Sequence, residues 1–179
     1  MVLLTCYTGK PETGEKIVAP LKSFGHPIAD ILIRPTYAQM QSLLDGAQPK
    51  GRRCYWKSEY LSHIEPELCE KVITHAARIP SPHSVLLLFQ IGGALNRLDE
   101  AHSPAANRDA RYLVTMAGAW EQPDEDSVNV EWARRGWNDI RPFSTGGTYI
   151  NVLTEDEGYE RIEAALGKHI QRLAAVKAQ

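Results

Sequence analysis

The longest apolar run in this chain is VLLLF, residues 85–89, and its brevity constrains the fold more than any other feature. A helix that crosses a bilayer needs about 20 consecutive apolar residues. Nothing here approaches that length, so the sequence predicts no membrane span. Pro80 and Pro82 precede the run and Gly92-Gly93 follow it, punctuation that suits a short strand better than a helix. Its apolarity predicts a central place in a sheet.

The elements around it follow the same logic. Strands are predicted at residues 2–7, 28–33, 52–61, 110–120 and 148–153, each rich in strand-favouring residues or bounded by turn signals. Helical spacing covers residues 12–24, where Pro20 is expected to split the run into two short pieces. A second helix is capped by Thr36 and ended by Gly46. A third begins near Pro66 and is expected to bury Leu68, Val72, Ala76 and Ile79. The clearest lies between residues 123 and 140, with Val128, Trp132, Ala133, Gly136, Trp137 and Ile140 on one stripe. Residues 157–177 are helical in pattern with a break at Gly167. These elements, with no repeat or linker composition among them, predict one α+β domain over residues 1–179: a mostly antiparallel sheet backed by helices.

Composition removes several function classes. A formal net charge of −2 gives no electrostatic case for nucleic acid or anionic lipid as partner. The three cysteines, Cys6, Cys54 and Cys69, form no CxxC pair, which argues against a disulfide framework or zinc site and for a reducing, cytoplasmic setting. The six histidines show no metal spacing and no HExxH pattern, so no metal is expected. The opening MVLLTC is too short an apolar stretch for a signal peptide and reads as the first strand.

Four segments carry a family resemblance: PLKSFGHPIADILIRPTYAQMQSLLDG (residues 20–46), PKGRRCYWKSEYL (49–61), RDARY (108–112) and RPFSTGGTYIN (141–151). Together they resemble the substrate domain of bacterial FAD-linked oxidases of the berberine bridge enzyme-like group, from about residue 3 to about residue 177. The resemblance implies a substrate-binding half of an FAD-linked oxidoreductase, whose cofactor is held mainly by a separate N-terminal FAD-binding domain that residues 1–179 do not include. It therefore implies FAD in the intact family and none bound by this chain alone. The neighbouring expectations are a separate flavin-domain partner, a small-molecule substrate, and a homodimer formed through the sheet face that the flavin domain would otherwise cover. An alternative is a free-standing small-molecule-binding or assembly protein that kept the fold and lost the reaction.

The same resemblance assigns site residues. The family's Tyr-x-Asn motif is matched by Tyr149 and Asn151, which implies flavin or substrate contact; on a strand the two would share a face. Val152 stands where several members carry a tyrosine base, and valine cannot take a proton. The competing reading of Tyr149 and Asn151 is a pair that satisfies sheet or loop groups. Gln90, at a strand end before Gly92-Gly93, is a candidate to orient a substrate hydroxyl, or else a solvated terminus. Lys57 is a candidate to meet substrate or flavin charge, or else a solvated strand lysine. Tyr149, Asn151 and Gln90 are expected to open onto one shallow concavity. The Gly92-Gly93 and Gly146-Gly147 pairs read as sharp bends or close backbone approaches, not as a nucleotide fingerprint. Arg108, Asp109 and Arg111 read as a structural ion pair.

Overall fold

The computed structural model describes residues 1–179, with the side chain of Glu100 left aside. It divides into two compact units, residues 1–45 and residues 46–179.

The first unit carries two helices, α1 (Pro11–Lys22) and α2 (Tyr37–Gln41). Pro20 does not split α1. It falls in the last turn, where its missing N–H removes one bond near an end that frays anyway. Thr36 caps α2 as expected, its hydroxyl accepting from Gln39 N while the Gln39 side chain accepts from Thr36 N. The expected strands at residues 2–7 and 28–33 are a correction: both stretches lack strand structure, because among the described residues neither has a ladder partner. Side chains anchor this unit instead. Lys22 pairs with Asp30 at 2.9 Å and Arg34 with Glu15 at 2.6 Å, while the Tyr7 ring lies over Gly14, where a Cβ would come within 2.6 Å of it.

The second unit holds the antiparallel sheet, built from β1 (Arg53–Leu61), β2 (Val85–Gln90) and β3 (Tyr112–Trp120) in the order β1-β3-β2. The apolar run thus lies at an edge and β3 in the centre, contrary to the expectation. The reason is side-chain size as much as hydrophobicity. Ala117, Gly118 and Ala119 let neighbours close on β3 from both faces, and a Cβ on Gly118 would already sit 3.0 Å from the Tyr55 carbonyl. On β2, by contrast, Val85, Leu88 and Phe89 remain 37%, 47% and 49% exposed.

One face of the sheet is covered by α3 (Pro66–Ala76) and α5 (Asp126–Ile140). Leu61, Val114 and Met116 from the strands meet Leu68, Trp132, Ala133 and Ile140 from the helices in the core. The helical stripes differ from expectation by single positions. His75 rather than Ala76 turns inward on α3, its Nε2 2.8 Å from Asp139 of α5. Asn129 rather than Val128 is buried on α5, since its amide donates to Glu125 O and its carbonyl accepts from Ser84 Oγ. The short helix α4 (Ala94–Arg97) follows β2, and the chain ends in α6 (Tyr159–Leu166) and α7 (Ile170–Lys177), with Gly167 at the break. Residues 148–153 are not a strand: a single 3-10 turn spans Ile150–Val152. Gly93 and Gly146 take φ values of 62° and 91°, left-handed conformations that support the bend reading of both glycine pairs. Arg108 does not pair with Asp109. It is buried, donating to Leu95 O of α4 and to Ser103 Oγ, so its charge is met by those oxygens.

Candidate functional site

Side-chain alternation divides the sheet residues between two faces. Opposite the helices, register places Trp56 across from Ala117 and Val85, Ser58 across from Thr115 and Leu87, and Tyr60 across from Leu113 and Phe89. Trp56, Leu87, Phe89, Leu113, Thr115, Tyr149 and Val152 line a hollow of about 320 Å³ on this face. That volume lies at the small end of small-molecule sites.

Residues 144–149 bring Tyr149 to it by bonding along the β1 edge. Thr145 N donates to Tyr60 O at 2.9 Å, and Tyr60 N donates to Gly147 O at 3.1 Å. Thr148 Oγ1 lies 3.0 Å from Ser58 Oγ, which also accepts from Tyr149 N. A Cβ on Gly147 would come within 1.9 Å of the Asn107 side-chain oxygen, so a larger residue there would have to displace Asn107. Asn151 Nδ2 then donates to Tyr149 Oη at 2.7 Å. The two motif residues therefore meet, through a turn instead of a strand face. Burial, followed by the nearby Tyr149, pushes the Tyr60 hydroxyl above its ordinary pKa, so Tyr60 stays neutral on this face.

Lys57 faces the other way. It is 3% exposed, and its ammonium meets Thr154 Oγ1 at 2.8 Å, Asp156 at 2.9 Å and Glu157 at 3.2 Å, with the Tyr55 and Trp137 rings beside it. Glu59, two residues on and 1% exposed, accepts from Trp137 Nε1 at 2.5 Å, pairs with Arg161 at 3.0 Å and also accepts from Ser144 Oγ. Burial pushes the Glu59 carboxyl above its ordinary pKa, against the pull of Ser144, Arg161 and Trp137. At Asp156 burial also pushes upward, but bonds from Thr154, Tyr55, Arg134 and Lys57 outweigh it and hold the carboxyl well below the usual range. This cluster ties β1 to residues 144–161, behind the sheet from the hollow.

Gln90 is exposed and pairs with Tyr112, on the alternation of Leu86 and Leu88, so it does not share the hollow with Phe89. The structure thus brings Tyr149 and Asn151 together and leaves Gln90 and Lys57 on the opposite alternation of the sheet. Sequence reasoning missed Trp56, Leu87, Phe89, Leu113, Thr115 and Val152 as lining residues. Alternation along β1 and β2 was the available signal, once their register was known.

An FAD-linked oxidoreductase of Dictyostelium discoideum is 24% identical over 180 residues, covering 99% of this chain and 39% of that protein. Aclacinomycin-N/aclacinomycin-A oxidase of Streptomyces galilaeus is 30% identical over 83 residues, covering 41% of this chain and 15% of the oxidase. The chain is homologous to part of the berberine bridge enzyme-like FAD-linked oxidases. Its fold agrees: a variant of Physcomitrella patens BBE-like 1 matches with a TM-score of 0.70 at 17% identity, covering 94% of this chain and 39% of that one. Berberine bridge enzyme from Eschscholzia californica matches with a TM-score of 0.65 at 15% identity, covering 73% of this chain and 31% of the enzyme. No family model matches. The chain spans 39% of the length of the Dictyostelium relative, and its matched segment spans 15% of the Streptomyces oxidase.

Proposed function

We propose that this chain forms the substrate-binding wall of an FAD-linked oxidase and that a separate domain holds the flavin. The observation that carries this reading is the apolar hollow on the sheet face away from the helices, with the Tyr149 hydroxyl held by Asn151 at its edge. The residues present do not fit a whole FAD. A dinucleotide needs cationic or backbone N–H groups for its pyrophosphate, commonly a glycine-rich turn at a helix N-terminus, and the lining carries no cation and no glycine. Tyr149, Asn151 and the rings beside them suit at most one face of a flat ring. No oxidation step is assigned to the chain alone, because no side chain here accepts a hydride.

The substrate would therefore be a small molecule, seated against the hollow and oriented by Tyr149. The unpaired and exposed Cys6, Cys54 and Cys69 favour a reducing, cytoplasmic setting. The test is optical and then kinetic. The purified chain should be colourless, with no flavin bands after denaturing release; mixing it with the flavin domain of a close relative should give a complex in which Asn151→Ala lowers assembly or turnover more than Val152→Ala. Stoichiometric flavin on the chain alone would overturn the reading.

A second reading, a free-standing homodimer, is favoured by one feature: β2 ends the sheet with the uncharged sequence VLLLFQ and pairs only with β3.

A further inference from the structure

We propose that the hollow takes a neutral, flat aromatic molecule bearing one hydrogen-bond-accepting oxygen, in preference to a sugar or a cationic amine. The inference rests on the substrate-wall reading above and names the class of ligand that wall would accept. Three aromatic side chains, Trp56, Phe89 and Tyr149, join Leu87, Leu113 and Val152 around the cavity. Thr115, 2% exposed, lines it from the central strand, and Tyr149 brings the hydroxyl that Asn151 holds, so at most two side-chain hydroxyls are at hand. Trp56 contributes ring surface, its Nε1 being buried and without a hydrogen-bond partner.

A hexose carries several hydroxyls, and each one buried without a partner costs roughly 1–3 kcal/mol. Two hydroxyls cannot satisfy that set. A cation fares no better, because no carboxylate lines the hollow: Glu59, Asp156 and Glu157 are engaged by Lys57, Arg134 and Arg161 in the cluster behind the sheet. An aromatic ring needs only apolar contact and edge or face packing against rings, which this lining offers. Tyr149 adds direction. Its oxygen accepts from Asn151, which leaves its O–H proton to donate, so the ligand atom that meets it should be an acceptor such as a carbonyl, ether or alcohol oxygen.

The test uses the 179-residue chain and three probes: 1-naphthalenemethanol, 1-naphthylmethylamine, which is cationic at neutral pH, and methyl glucoside. Amide chemical shifts and tryptophan fluorescence report binding. Naphthalenemethanol should bind with shifts at Leu87, Phe89 and Thr115, at least about tenfold more tightly than the amine, and the glucoside should give none. Val152→Trp, which fills the cavity, should weaken naphthalenemethanol by about tenfold or more with an unchanged circular dichroism spectrum. Tyr149→Phe should weaken it by about 3- to 10-fold, the value of one hydrogen bond. Glucoside shifts at the same residues would overturn the ligand class while leaving the substrate wall in place. Naphthalenemethanol binding that Val152→Trp does not change, or no binding at all, would overturn the inference; turnover of the mixed domains tests the wall separately.

Discussion

Glu59 and Asp156 belong to one charge cluster yet titrate in opposite directions, and the difference is burial against partners. Glu59 is pushed above its ordinary value of 4.5 because desolvation outweighs Ser144, Arg161 and Trp137. A carboxyl raised in the folded chain contributes stability that is full below its unfolded pKa and is lost as pH rises through the folded one. The stability advantage over Glu59→Gln should therefore narrow as pH rises above about 4.5. Asp156, held below its ordinary 3.8, works in the reverse sense: its contribution is full above that value and is lost as pH falls through the depressed one. The advantage over Asp156→Asn should shrink on acidification. Urea titrations of both variants across a pH series measure the slopes, and a Glu59→Gln slope of the opposite sign would mean that Arg161 keeps the carboxylate ionised. Tyr149 and Asn151 were legible in the sequence as a Tyr-x-Asn motif. Lys57 and Glu59 were not legible as buried charges, because KSEY resembles a solvated strand face and its partners lie roughly 78 to 102 positions further along the chain.

At the scale of elements, the helices that pack were the readable ones, and the strands depended on partners that local sequence does not name. α3 and α5 appear where proline placement and apolar stripes put them, with shifts of one position where His75 and Asn129 find hydrogen bonds inside. Residues 2–7, 28–33 and 148–153 have strand-like composition, but a strand exists only through its ladder, and none of the three joins the sheet. The order β1-β3-β2 was equally hidden, since the small residues of β3 read as less apolar than VLLLF. Small size also governs the helix contact. A Cβ on Gly136 of α5 would come within 2.2 Å of Met116 Cε and 3.4 Å of the His75 ring. Gly136→Ala should raise helix propensity and still destabilise the fold by about 1–3 kcal/mol, because Met116 must leave a filled core position. Chemical denaturation measures the loss; a more stable variant would mean that the Met116 side chain moves aside freely.

For the whole molecule the informative surface is the free edge of β2. Val85, Leu88 and Phe89 are exposed there, and the strand carries no lysine, proline or charge of the kind that edges use to prevent pairing. Two copies can therefore join antiparallel, β2 to β2, and extend two three-stranded sheets into one of six. Such a union would satisfy the outward backbone groups of both strands and cover part of the apolar patch. It would also place each Phe89 near the seam, so that dimer and ligand compete for or share the same ring. Sedimentation equilibrium should show a homodimer that dissociates on dilution, and Leu88→Lys should shift it to monomer with an unchanged circular dichroism spectrum. Leu88 is the apt position: it faces away from the hollow, so a lysine there blocks the edge without entering the candidate site. A monomer at every concentration would defeat the edge pairing, and a Leu88→Lys dimer as tight as the parent would move the interface elsewhere on the chain.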